Sequence, residues 1–313
     1  MKSTTALAFL SLALCCISAA YADTFGSGSN LFDIEFVTIG NPGNAADITG
    51  DPNPAGSVSY VYRIGEFEIS RDMIDKARAS GGPDLGSSHS TGLPSGPAME
   101  VNWFEAATVI NWLNTSTGST PAYKLGGTEL WTPSDVGYNP ANPYRNSLAK
   151  YFLPSLDEWY KAAYYDSTSD IYYEYPTSSD TAPTAVSSGA GTNTAVFGQP
   201  IGTFPADITL AGALSPYGTM GQGGNVLEWV ETEFDLVNDS PSSNRGARGG
   251  TWQGTSSELS SSAWSSFSPS FGNIHNGFRV ASVIPEPNTL LLGALGAVGV
   301  IYPSRKQKTA RFS

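Results

Sequence analysis

Apolar and polar positions alternate loosely from Phe32 to Gly40, the period of a strand with one buried face. Asn41-Pro42-Gly43-Asn44 closes that run with turn chemistry. Val58 to Ile69 is rich in β-branched and aromatic residues and predicts a second strand, with Gly65 as a bulge. A stretch rich in Gly, Ser and Pro from Ser80 to Pro97 reads as loop. The period then changes. Trp103, Ala106, Ala107, Ile110 and Leu113 fall on one helical face, and Asn102 with Glu105 three residues later gives a capping-box start. A second helix is expected after Pro154, where Ser155 and Glu158 repeat the box and Trp159, Ala162 and Ala163 form the apolar face. The adjacent acids Asp157 and Glu158 favour the same helix start. Beyond it the pattern gives short strands and long loops such as Thr177 to Thr194, and loops of that length in a compact domain tend to be functional or flexible. No internal repeat is visible.

Both ends depart from this pattern. Residues 1–22 read as a secretory signal: Lys2, an apolar run from Ala6 to Ile17, and the small-residue site Ala20-Tyr21-Ala22, with cleavage expected before Asp23. The alternative is an uncleaved amino-terminal anchor. A lipoprotein signal at Cys15 is disfavoured by the bulk of Leu14. At the other end Pro285-Glu286-Pro287 precedes a mostly apolar run from Thr289 to Tyr302, then Arg305, Lys306, Lys308 and Arg311. As a helix that run spans roughly 21 Å, short of the roughly 30 Å bilayer core. The basic cluster behind it would stay cytoplasmic.

Removing both ends changes the charge picture. The body 23–284 keeps 11 basic and 27 acidic residues, so its net charge is near −16 against −12 for the full chain. Nucleic acid and anionic lipid require a basic face and are excluded as partners. The two cysteines, Cys15 and Cys16, both lie in the signal, so the body has no thiol, disulfide or cysteine metal site. About 260 residues suffice for one elaborated domain with a single large core.

The densest motif is Gly223-Gly224-Asn225-Val226-Leu227-Glu228-Trp229: a turn-permissive glycine pair, then an amide, a carboxylate and a tryptophan. It resembles the Gly-Asn-Val-Trp-Glu-Trp signature of formylglycine-generating (sulfatase-modifying factor) domains, with Leu227 in place of the first Trp. Four further segments are similar to that family, in its order. They are Val101-Asn102-Trp103-Phe104-Glu105-Ala106-Ala107 with Asn111-Trp112-Leu113, Tyr151-Phe152-Leu153-Pro154-Ser155-Leu156-Asp157-Glu158-Trp159, Arg248-Gly249-Gly250-Thr251-Trp252, and Asn276-Gly277-Phe278-Arg279-Val280. The resemblance covers residues from about 33 to 283 and implies a C-type-lectin-like α+β fold with little regular secondary structure. The carboxy-terminal segment 285–313 resembles the PEP-CTERM sorting signal, which implies an exported Gram-negative envelope protein whose tail meets a membrane sorting protease. A plain tail anchor is the alternative.

The family's aerobic oxidases bind copper through a cysteine pair that the resemblance places near Gly254 and Leu259. Neither supplies the thiolate that copper(I) selects. Related carbon–sulfur-bond-forming members hold iron through histidines on an added amino-terminal helical domain, which does not precede this body. His89 and His275 are the only histidines, the first in a Ser/Gly loop and the second just before the closing motif. They read as a solvated loop residue and a hydrogen-bonding residue, although a two-histidine-plus-carboxylate iron site needs no more than their convergence. A serine hydrolase is disfavoured because no nucleophile-elbow motif is present.

Binding is the expected chemistry. Calcium takes oxygen ligands from carboxylates, amides and backbone carbonyls. The resemblance nominates Asn225 and Glu228 for it, and loop position with oxygen chemistry nominates Asn193 and Asp207 as a second site. The alternative is that Glu228 pairs with an arginine such as Arg279 while Asn225 caps a turn. Tyr164, Tyr165, Tyr172, Tyr173 and Tyr175 lie among Asp166, Asp170 and Glu174, a composition that suits sugar binding or the packing of loops onto a core. The expected function is an exported, non-catalytic domain that binds exopolysaccharide or another envelope component. The alternative is a metal-dependent oxidoreductase of the same superfamily.

Overall fold

The computed structural model describes residues 21–86 and 92–284. In chain order the regular elements begin with β1 (Tyr21–Phe25), β2 (Phe32–Ile39), β3 (Tyr62–Gly65), α1 (Arg71–Ala79), α2 (Trp103–Ser116), β4 (Tyr151–Phe152) and α3 (Leu156–Tyr164). They continue with β5 (Tyr165–Asp166), β6 (Ile171–Tyr172), β7 (Thr184–Val186), β8 (Thr194–Val196) and β9 (Leu227–Glu233). The last are β10 (Arg245–Arg248), β11 (Ser265–Phe267), β12 (Asn276–Gly277) and β13 (Ala281–Val283). One sheet has the order β1-β2-β3-β13-β4 and a second β11-β10-β9-β12, with β5-β6 and β7-β8 as separate pairs. The fold is α+β, with most of the chain in loops.

The alternating segment forms β2, with Phe32, Ile34, Phe36 and Ile39 buried. The expected second strand is much shorter than its pattern. Only Tyr62–Gly65 forms the strand: the Gly65 N–H turns to the Val280 carbonyl, the Glu66 N–H makes a last bond to the Glu35 carbonyl of β2, and Glu68 and Ile69 are then buried. Both capping boxes are present as expected, at Asn102/Glu105 of α2 and Ser155/Glu158 of α3. The apolar faces behind them, including Trp103 and Trp159, are fully buried. Helix α1 has no counterpart in the sequence reading. It is capped by Ser70 and buries only Ile74 and Ala77, too narrow a stripe to stand out against its charged neighbours.

The strand β1 begins at Tyr21, inside the expected signal. Cleavage before Asp23 would leave Asp23–Phe25 paired with Phe32–Ile34. Asp23 is also tied by its carboxylate to Arg63 on β3 and the Tyr151 hydroxyl on β4. The rest of the signal, the Pro-Glu-Pro tail with its apolar run, and His89 lie outside the described residues. No helix among the described residues is long and apolar enough to cross a membrane.

Candidate functional site

The glycine-rich motif is an interior knot and not a rim. Gly224 and Asn225 both take left-handed backbone, with φ of 87° and 57°. A Cβ on Gly224 would sit 2.2 Å from the Val196 carbonyl oxygen, so only glycine lets the motif pass β8. Asn225 Oδ1 accepts the Ala206 N–H at 2.8 Å, and its Nδ2 donates to Glu68 Oε2 at 2.7 Å. Glu228 is held by Arg279 through two bonds of 2.5 Å and by Trp159 Nε1 at 2.7 Å. Arg279 in turn donates to the Gly65 and Met220 carbonyls, both at 2.9 Å. Asn225, Glu228 and Arg279 are wholly buried. A charge pair this deep is tolerable because nearly every donor and acceptor has a partner.

The four expected calcium ligands therefore have other occupations. Both oxygens of Glu228 and the Asn225 Oδ1 already accept N–H donors. Asn193 accepts from Thr177 Oγ1 at 2.7 Å, and Asp207 caps a short turn through Thr209 N and Oγ1. No three His, Cys, Asp or Glu side chains converge as a metal cluster among the described residues. Glu228 pairs with Arg279, as in the alternative, whereas Asn225 links the Ala206 backbone to Glu68 instead of capping a turn. Addition of calcium or of a chelator is accordingly expected to leave the melting temperature unchanged. A rise with calcium that chelator reverses would restore a calcium role.

The tyrosine-rich segment is turned inward at Tyr164 and Tyr165 and half-buried at Tyr172, Tyr173 and Tyr175. Tyr164 and Tyr165 are buried, and the Tyr172 hydroxyl bonds the Gly56 carbonyl at 2.8 Å. Tyr160, Tyr165 and Tyr172 pack ring against ring, and Tyr175 rests on the small cluster of Ala195, Phe197 and Leu259. These rings fasten loops to the core.

The exposed chemistry lies instead on the loop that follows β10. Gly249 and Gly250, at φ of 99° and 74°, turn the chain so that Trp252 plunges inward and donates its Nε1–H to the Thr203 carbonyl at 3.0 Å. Beyond that turn Gly254 leaves room for Glu258, whose Oε2 lies 2.1 Å from where a Cβ on Gly254 would stand. Leu259 is buried. His275 packs its ring on Trp252 at 4.8 Å and sits 3.3 Å from Gln253 Oε1. Burial holds the imidazole below its ordinary pKa, an effect the Glu258 charge partly offsets.

This loop separates two surface pockets. One, of about 190 Å³, is polar and lined by Ser257, Glu258, Ser262, Trp264 and Ser265. The other, of about 180 Å³, is apolar and lined by Met99, Ile201, Phe204, Trp252 and Ile274. Sequence reasoning reached Gly254, Leu259 and His275 but not Glu258 or Trp264, because neither pocket has a periodic signature.

Residues 70–284 match the sulfatase-modifying factor enzyme 1-like (FGE-sulfatase) domain. The chain belongs to that family. The FGE fold also recurs in solved structures. Treponema denticola variable protein 1 is 20% identical with a TM-score of 0.56, covering 85% of this chain and 100% of that one. CarF is 18% identical with a TM-score of 0.56, over 80% of this chain and 99% of that one. No curated protein matches the chain. The α+β FGE fold expected from the five motifs is thus the fold observed. Within it, the positions where the resemblance expects copper-binding cysteines hold a hydrogen atom at Gly254 and a buried isobutyl group at Leu259. That donor set does not fit copper.

Proposed function

We propose that this FGE-family domain is an exported, non-catalytic binding protein for an envelope or matrix component, engaged at the pockets beside the Gly249–Glu258 loop. The observation that carries this reading is the replacement of the family's redox centre by Gly254, with Glu258 folded over it, and by the core residue Leu259. Pockets lie on either side of the loop, and no thiolate stands there to move electrons, which supports binding over oxidation. The signal-like start and the Pro-Glu-Pro tail support export and handling by a membrane sorting protease. The acidic body supports a neutral or cationic partner over an anionic one.

Two measurements test this. Purified protein covering residues 23–284 is expected to carry far less than one copper or iron per chain by elemental analysis, and to leave a cysteine-bearing sulfatase peptide unoxidised. It is also expected to be retained on extracellular matrix from the producing cells. Stoichiometric transition metal that disappears in His275→Ala would support the oxidoreductase reading, in which His275 and a carboxylate such as Glu258 act as ligands. Absence of retention on any matrix fraction would sink the binding reading.

A further inference from the structure

We infer that the 190 Å³ pocket lined by Arg248, Ser257, Ser262 and Ser265 is a subsite for a carboxylate flanked by hydroxyls, the chemistry of a uronic acid residue in an otherwise neutral glycan. The inference rests on the matrix-binding reading above and assigns it one pocket and one ligand chemistry.

Arg248 carries the inference. It is wholly buried, and it lines the pocket. The other arginines held in the interior, Arg63, Arg145, Arg245 and Arg279, each have a carboxylate at 2.5 to 3.8 Å. Arg248 instead donates Nη1 to the carbonyls of Ser261 at 3.3 Å and Ala263 at 3.0 Å. Its Nη2 goes to Asp51, again to the carbonyl and not to the carboxylate. The guanidinium lies over the rings of Tyr160 and Trp264, at 4.8 and 5.8 Å from their centroids. Its Nε–H is buried with no acceptor. Carbonyl dipoles and ring faces offset part of a buried charge, but a cation taken out of water is ordinarily matched by an anion. Burial lowers its pKa from the ordinary arginine value, with Tyr164 and Tyr160 opposing. A carboxylate in the pocket supplies both the missing charge and an acceptor for Nε–H.

The rest of the lining says what surrounds that carboxylate. The hydroxyls of Ser257, Ser262 and Ser265 can each donate or accept, as the hydroxyls of a sugar acid require. The volume is below the roughly 300–1,000 Å³ of sites for drug-sized ligands, which limits the occupant to about one ring. Trp264 serves as a wall, since its ring is already stacked on Phe234 with centroids 4.1 Å apart. Glu258 works against an anion, but it is exposed, where water and salt screen it. The charge of the body, near −16, disfavours a dense polyanion, so the carboxylates of the ligand are expected to be isolated along its chain.

The test compares glucuronate with glucuronamide, which keeps the ring and its hydroxyls but carries no charge. Both are titrated against the exported protein by saturation-transfer NMR. Glucuronate is expected to bind saturably, and glucuronamide at least about tenfold more weakly. Glu258→Gln, a change at an exposed position, is expected to tighten glucuronate binding about two- to threefold by removing a like charge. Arg248→Gln is expected to abolish the preference for the acid. Equal affinity for acid and amide, no saturable glucuronate binding, or weaker glucuronate binding by Glu258→Gln would each overturn the subsite. These outcomes need only the native protein and the surface variant, so the test stays decisive should Arg248→Gln fail to fold. Retention on matrix that free glucuronate does not displace would overturn the subsite while leaving the matrix-binding reading intact. Acid-selective binding without retention on matrix would sink that reading and keep the subsite.

Discussion

Arg279→Met is expected to lower the unfolding free energy by about 3–5 kcal/mol, because it leaves Glu228 charged and buried with no cation beside it. Glu228 would keep only the Trp159 indole N–H, and the carbonyls of Gly65 and Met220 would lose their donor. The pair sits where α3, β9 and the segment entering β13 meet, so the damage should be global and appear as a lower urea midpoint with an unchanged slope. The double variant Arg279→Met/Glu228→Gln is expected to recover part of the loss, since removing both charges also removes the unpaired one. An Arg279→Met protein as stable as the parent would show that Glu228 is neutralised by something other than this arginine.

Stability is also expected to fall as pH rises from about 5 to about 8, and to level off above that. The group responsible is Glu68. Burial, and then the neighbouring Glu228 carboxylate, push its pKa up to about 8, against the opposing pull of Arg279 and the bonds from Asn225 and Val226. In the unfolded chain the same carboxyl titrates in the ordinary range. Between the two values the native state holds a proton that the unfolded state has released, so unfolding becomes easier as pH increases. The slope approaches about 1.4 kcal/mol per pH unit for one such group. Glu68→Gln keeps an acceptor for Asn225 but cannot titrate, and is expected to flatten the profile. Urea midpoints for both proteins across this range provide the test, and a parent profile already flat from pH 5 to pH 8 would refute it.

Glu68 also illustrates what was not legible in the chain. Tyr62 to Gly65 before it are all buried while Glu66 and Phe67 are half-buried, so no alternation marks the Glu68 carboxylate as an interior group. The residues it meets, Asn225 and Val226, lie about 160 positions away, and no local pattern announces them. The same holds for Arg145, placed between Glu158 and Glu231 by the fold alone. For the same reason the sequence could not show that Asn225 and Glu228, expected as calcium ligands, have protein partners for their oxygens. Oxygen-bearing side chains near a glycine turn look identical in sequence whether they face an ion, an arginine or a backbone N–H.

By itself the sequence determined the elements whose signals are short-range. The capping boxes of α2 and α3 are completed within three residues, β2 repeats every second residue, and five ordered motifs indicate the FGE fold. It also determined the absence of a thiol from the body, which is a matter of composition alone. Only the tertiary structure decided which side chains are free to act. It turned Tyr164, Tyr165 and the glycine-rich motif inward, and left Glu258 and Trp264 around an open pocket. The physical reason is that a polar side chain's role depends on whether folding supplies it a partner, and here those partners come from segments distant in the chain.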